Sequence, residues 1–339
     1  MICKIAFIAL FILTSCGSYQ KKEQKSEIQI LSEKIIQNPT DIDLLYSRVG
    51  YNRSKNNLES ALFDLKEIVR LDSLNVINHN NIAKIYFELS KGDNPNAKYP
   101  SLVKYHLERS IKIDDKNIEA LALMGELLLA YNKYEDAIKS FNSSLIIEYN
   151  QQRTHMLMGY AFKQLKQTDN AINCFRNAIN IDPDFFEAQM QLGHIFHLLS
   201  DTIALVYYNN ALNLKPSDEM VLYNKALFYQ SILDWNNALE TYAELHKVSP
   251  FHVTGHYNLG FIHMELGLYD VATNNFSDAI YSNSEFYEAY YSRGNCFETL
   301  GNIAQAESDY NRAIEINPEY TYAIEALEIL REKNKKYNK

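Results

Sequence analysis

The sequence predicts an all-α fold, a solenoid of short helix pairs stacked one on the next. Three observations predict it. Self-comparison aligns Leu157-Met158-Gly159-Tyr160-Ala161-Phe162 with Leu192-Gly193-His194-Ile195-Phe196 and with Leu259-Gly260-Phe261-Ile262-His263, a period of 34 residues, once 33. A fixed period of that size marks a repeat architecture. Small residues recur at two independent slots, one on each helix of the pair, in seven of eight units. Finally, 11 Gly and 7 Pro among 339 residues are too few for a sheet protein with many tight turns. Hydrophobic residues at 47% and charged residues at 22% fit a folded chain. Length alone suggests about two domains, and one array takes their place. A net charge of −9 excludes a sequence-blind nucleic-acid binder, which needs a basic footprint.

The first 15 residues read as an address. Met1-Ile2-Cys3-Lys4 carries one positive charge, and nine apolar residues follow, Ile5 to Leu13. Nine residues of helix span about 13 Å, too short for a membrane core and right for a signal-peptide apolar region. The run ends in Leu13-Thr14-Ser15-Cys16-Gly17, which resembles bacterial lipoprotein signals. That resemblance implies removal of residues 1–15 and lipidation of Cys16 by a thioether-linked diacylglycerol and an amide-linked acyl chain; two or more chains anchor stably. Residues 16–25 form a polar tether, ending Gln20-Lys21-Lys22-Glu23-Gln24-Lys25. No Asp follows Cys16, which resembles sorting to the outer membrane, and no acidic cluster of the surface-export kind follows it either. The expected place is therefore the periplasmic face of the outer membrane. Cys3 leaves with the signal. Cys174 and Cys296, 122 residues apart, have no metal or redox spacing.

Residues 26–339 are the array. Glu27 to Gln37, closed by Pro39, reads as a lone second helix. Eight units follow, over 42–75, 76–117, 118–151, 152–185, 186–218, 219–252, 253–286 and 287–320, with a charged cap over 321–336. The first-helix slot holds Val49, Ala83, Gly125, Gly159, Gly193, Ala226, Gly260 and Gly294; the second-helix slot holds Ala61, Val103, Ala137, Ala171, Ala204, Ala238, Ala272 and Ala306. These small side chains let the two helices approach. One turn later Phe141, Phe175, Tyr208, Tyr242, Phe276 and Tyr310 fill the space between them, with Leu65 and Leu107 in the first two units. Pro183, Pro216, Pro250 and Pro318 follow second helices, which proline cannot continue. This pattern resembles the tetratricopeptide repeat, which implies a right-handed superhelix with the first helices lining its concave surface. Glu325, Glu328, Arg331 and Glu332 suit the water-facing side of a cap, which repeat arrays need. One unit carries an insertion, 91–100, eight residues longer than the repeat requires; a tolerated surface bulge is its simplest reading, and a partner contact through Tyr99 is the other.

Helical spacing from the small slot selects the side chains expected in the groove: Tyr46, Asn80, Lys84, Glu126, Met156, Tyr160, Met190, His194, His197, Tyr223, Leu227, Tyr257, Phe261, Tyr291 and Asn295. Tyr, Met and Phe dominate the middle of that set and are enriched at protein interfaces. The chaperone-type carboxylate clamp of Lys and Asn does not recur, so capture of a terminal carboxylate is not expected.

No phosphate-cradling Gly-rich loop, G-x-S-x-G elbow or H-E-x-x-H is present. His194 and His197 share a helical face without a nearby third ligand, and His252, His256 and His263 form a looser set. No metal, cofactor or catalytic activity is expected. The resemblance implies a lipid-anchored scaffold or adaptor with protein or peptide partners, its membrane contact made through the lipid. Relatives of that kind serve envelope assembly, secretion or proteolysis. The alternatives are a ligand-binding subunit of a nutrient importer and a self-assembling structural protein.

Overall fold

The computed structural model describes residues 25–92 and 96–337. The signal, Cys16 and the tether up to residue 24 lie outside the described residues, as does the middle of the insertion. The described residues are helical throughout and contain no strand. They fall into two compact units, one ending at Ala120 and one beginning at Leu121.

In the first unit, α1 (Glu27–Gln37) is followed by the pair α2 (Ile42–Ser54) and α3 (Leu58–Leu71), then by α4 (Val76–Leu89) and α5 (Tyr99–Ile113). The insertion thus separates α4 from α5. The boundary falls within α6 (Ile118–Ala130), whose partner is α7 (Tyr134–Ile147). The second unit continues with α8 (Gln152–Gln164) and α9 (Thr168–Ile181), α10 (Phe186–Leu198) and α11 (Ile203–Leu214), and α12 (Glu219–Ser231) and α13 (Trp235–Val248). It ends with α14 (Val253–Glu265) and α15 (Tyr269–Ser282), α16 (Tyr287–Thr299) and α17 (Ile303–Ile316), and the cap α18 (Thr321–Tyr337).

The turn inside seven of the eight pairs has one recipe. A residue in the left-handed region sits just past the first helix: Asn56, Asn132, Lys166, Ser200, Leu233, Gly267 and Gly301, with φ between 55° and 80°. The next amide then reaches back to the carbonyl five residues earlier, as Gln167 does to Phe162 at 2.9 Å and Leu268 to His263 at 2.8 Å. This closes the helix end and satisfies carbonyls that would otherwise be orphaned. The α4–α5 pair, where the insertion stands, has no such residue among those described. Between pairs the chain turns on side chains instead. Asp182 Oδ1 accepts the Asp184 amide at 3.1 Å, and Asn317 Oδ1 accepts that of Glu319 at 3.1 Å.

Within six of the eight pairs the two helices lock through a ring. A β-carbon at Gly159, Gly193, Gly260 or Gly294 would fall 2.7 Å from carbons of Phe175, Tyr208, Phe276 or Tyr310 respectively, and one at Gly125 would meet Phe141 just as closely. The glycine is therefore a seat for the aromatic side chain, and the alanine slot of the second helix packs beside it, fully buried at Ala137, Ala171, Ala204, Ala238, Ala272 and Ala306. The rings are among the largest wholly buried side chains of the protein. Each buries area worth roughly 2–3 kcal/mol. Where the slot holds Val49 or Ala83, the filler shrinks to Leu65 or Leu107, both at 0% exposure.

Candidate protein-binding face

A buried tyrosine needs an acceptor for its hydroxyl, and the first helices supply one a turn beyond the small slot. Tyr242 Oη donates to Gln230 Oε1 at 3.0 Å, and Tyr310 Oη lies 3.0 Å from Glu298 Oε2, with Asn295 Oδ1, next to the slot, at 2.7 Å. Tyr208 Oη lies 3.3 Å from His197 Nδ1. In pairs built on phenylalanine the same turn carries Leu129, Lys163 or Met264. His197 is thus tied to a core hydroxyl, and burial with His194 nearby holds its pKa below the usual imidazole value. Burial and Lys163 do the same to His194. Among the described residues no three His, Cys, Asp or Glu side chains converge to hold a metal ion.

The residues expected in the groove divide by what already holds them. In the first unit the Tyr46 hydroxyl bonds Asn78 Oδ1, and Lys84 pairs with Glu119. Buried Asn80 donates to Asn117 Oδ1 at 3.0 Å and Glu119 Oε2 at 2.8 Å. In the second unit Glu126 is held by Arg153 in a two-pronged pair at 3.0 Å. Tyr257 packs against Phe276 and Phe286, its hydroxyl 3.3 Å from Ser292 Oγ. Tyr291 sits among Tyr310, Tyr320 and Tyr322, and Asn295 holds Tyr310. Leu227 and Phe261 are half-buried. Apart from Leu227, Phe261 and Asn295, these side chains join one helix pair to the next.

A smaller group keeps an open side. Tyr160 stands edge-on to Phe175 at 5.6 Å, and Met156 packs on the same core with Met190. Burial, and then Glu187, push the Tyr160 hydroxyl's pKa up. Tyr160 and Met190 line a hollow of 250 Å³ with Phe186, Glu187, Gln191, Asp218 and Met220. A second hollow of 460 Å³ lies across Met220, lined by Tyr223, Glu219, Asp218 and His252. Met220, 65% exposed, is the ridge between them. Spacing from the small slot picked out Tyr160, Met190 and Tyr223 but missed Phe186, Glu187, Met220 and His252. Those four occupy the first turn or the cap of α10, α12 and α14, where the helix start, set by Asp218 accepting the Val221 amide at 3.0 Å and His252 accepting that of Gly255 at 2.9 Å, aims them at the same face.

Two further sites show how packing sets protonation. His79 Nδ1 and His106 Nδ1 are 3.0 Å apart, and His79 Nε2 donates to the Ser73 carbonyl at 3.2 Å. His79 therefore accepts at Nδ1 and His106 donates. Burial, then His79 and Lys66, pushes the His106 pKa down to about 4. The His246 and His256 rings stack at 3.8 Å, and burial with His256 and His252 pushes His246 down to about 4.

A family model described as tetratricopeptide repeat matches residues 287–320, and one described as TPR repeat matches residues 159–200. Those two stretches carry tetratricopeptide repeats. Human tetratricopeptide repeat protein 6 is 26% identical over 57% of this chain and 38% of its own length. A TPR repeat-containing protein of Methanocaldococcus jannaschii is 21% identical over 76% of the chain and 49% of its own length. The chain spans from a tenth to about half of the curated relatives it matches. Among solved structures, PilF of Pseudomonas aeruginosa superposes with a TM-score of 0.52 at 15% identity, over 62% of this chain and 92% of that one. A tetratricopeptide repeat protein from Parabacteroides merdae gives 0.50 at 13% identity, over 75% and 98%. These two likenesses concern the fold.

Proposed function

We propose that this chain is a lipid-anchored scaffold on the periplasmic side of an outer membrane, holding peptide segments or partner proteins against the first helices of its tetratricopeptide array. The supporting observation is the open stretch from Tyr160 to Tyr223, where aromatic and Met side chains border two hollows on neighbouring helix pairs. Rings and Met side chains bury large area at modest entropic cost, the requirement for an interface core. Buried rings beneath make the platform stiff, so little ordering is left for the binding step. Anchoring rests on the sequence around Cys16; no described helix is long and apolar enough to cross a membrane. Roles in envelope assembly, secretion or proteolysis belong to the same proposal.

Crosslinking in intact cells, read by mass spectrometry, tests the binding face. The partner identified with the natural chain is lost when Tyr160 and Tyr223 are replaced by Ala, with helicity by circular dichroism unchanged; an unchanged crosslink profile overturns the assignment. Cys16→Ser releases the protein from washed membranes if the anchor is lipid, and retention there overturns that part alone.

A further inference from the structure

Each of the two hollows couples an apolar wall to a carboxylate. The first sets Tyr160, Phe186 and Met190 beside Glu187; the second sets Met220 and Tyr223 beside Glu219. Asp218 lies on both. The linings carry three carboxylates and no Lys or Arg, on a chain whose net charge is −9. Glu219 Oε1 lies 3.5 Å from Nε2 of His252. His252 accepts the Gly255 amide at Nδ1, so its Nε2–H donates toward Glu219. Two lysines contact residues that line the first hollow. Lys163 donates to Gln191 Oε1 at 2.9 Å, and Lys215 Nζ lies 3.7 Å from the centroid of Phe186. The second contact shows, within the protein itself, a ring of this surface taking an ammonium.

An apolar wall ending in a carboxylate fits one kind of side chain, a long aliphatic stem with a cationic head. Adjacent inner helices lie about 10 Å apart, and a polyproline II peptide advances about 3.1 Å per residue with three residues per turn, so its positions i and i+3 share one face at about the spacing of neighbouring hollows. We propose that the paired hollows around Met220 take two Lys or Arg side chains at positions i and i+3 of a peptide segment in the polyproline II conformation. This deepens the proposed function and rests on it.

Fluorescence anisotropy with the full chain in detergent tests the assignment, using labelled polyproline II peptides of repeated Lys-Pro-Pro, Gln-Pro-Pro and Glu-Pro-Pro. The Lys peptide is expected to bind about tenfold or more tighter than the Gln peptide, one charge-assisted contact or better, and the Glu peptide weakest. Glu187→Gln with Glu219→Gln lowers the Lys peptide to the level of the Gln peptide and leaves the latter unchanged. Tyr160→Ala with Tyr223→Ala weakens all peptides. Equal affinity for the three peptides, lost with the tyrosines, overturns the cationic specificity and leaves the binding face standing. Lys-peptide binding that ignores the tyrosine changes, or the absence of any binding, overturns both.

Discussion

The first and last helix pairs are built alike, and differently from those between them. Arg48 grips Asp64 with two hydrogen bonds, Nε to Oδ2 at 2.8 Å and Nη2 to Oδ1 at 2.6 Å, and reaches Ser32 on the preceding helix at 3.3 Å. Arg293 repeats this with Asp309, both bonds at 2.8 Å, and with Ser277 at 2.9 Å. Ser, Arg and Asp stand 16 residues apart in both cases. In the pairs between, the arginine position holds Ile82, Met124, Met158, Leu192, Lys225 or Leu259, and the aspartate position His106, Ser140, Cys174, Tyr207, Thr241 or Asn275. One backbone arrangement thus accepts a buried ion pair or a largely apolar contact in the same place. Asp64 is 1% exposed and Asp309 8% at the side chain, so each aspartate depends on its arginine. Residue type here decides what kind of interaction holds the pair, while the ring or leucine next to it decides how closely the helices meet.

The comparison can be broken by taking one partner away. Asp309→Ala is expected to cost about 3–5 kcal/mol, because the arginine is left without its counter-charge in a mostly buried place. Carrying over the apolar choice, Arg293→Met with Asp309→Cys after Met158 and Cys174, should recover most of that loss. Urea denaturation of the single and double variants checks it, and a double variant as unstable as Asp309→Ala would show that the pair also sets the packing.

A second exchange tests the ring and its seat. Gly193→Ala crowds Tyr208, and Tyr208→Leu leaves a void, each costing about 2–3 kcal/mol. Together they copy Ala83 and Leu107, and the double variant should lose less than the sum of the singles, with a coupling on the order of 1–2 kcal/mol. Strict additivity in a double-mutant cycle would mean that slot and filler are independent.

His106 sharpens the comparison by pH, since it takes the aspartate position in a pair whose arginine position holds Ile82, and meets His79. Its folded pKa, about 4, lies below the unfolded value of about 6.5. Its neutral form therefore favours the folded state above pH 6.5, and that contribution is lost as pH falls from about 6.5 toward 4. The expected loss is about 2 kcal/mol once partial solvent screening is allowed for. His106→Leu should flatten this part of the stability–pH curve, and an unchanged slope would place the titration elsewhere.

The smallest expected effect lies in the turns. Leu233 adopts φ 60° where Gly267 and Gly301 do so freely. Leu233→Gly is expected to raise stability by about 0.5–1 kcal/mol, relieving the β-carbon clash of the left-handed region. Thermal melting distinguishes this from a neutral change.

Much of the fold was legible because the repeat is written in residue volume. Gly159 and Phe175 leave one compact solution for their helices, and the recurrence of the pair along the chain fixes the architecture. The turns were half-legible: Asn56, Asn132, Gly267 and Gly301 suit a left-handed backbone, but Lys166, Ser200 and Leu233 do not announce it. The Ser–Arg–Asp spacing stood in the sequence at both ends, yet charged residues 16 apart carry no signal until the helices are known to face each other. The binding face was harder still. Spacing from the small slot identified which helix side Tyr160, Tyr223, Tyr257 and Asn295 occupy, but not how much of each side chain neighbouring helices consume.

By itself the sequence determined the all-helical repeat, the pairing of a small residue with its filler, and the helix ends at proline, because those follow from volume, period and backbone chemistry within one or two turns. Tertiary structure decided which side chains stay open, which hydroxyl each His, Gln or Asn satisfies, and whether a titratable group meets an arginine or another imidazole. Those outcomes depend on contacts between helix pairs, where residues up to 39 positions apart, such as Asn80 and Glu119, compete for the same space.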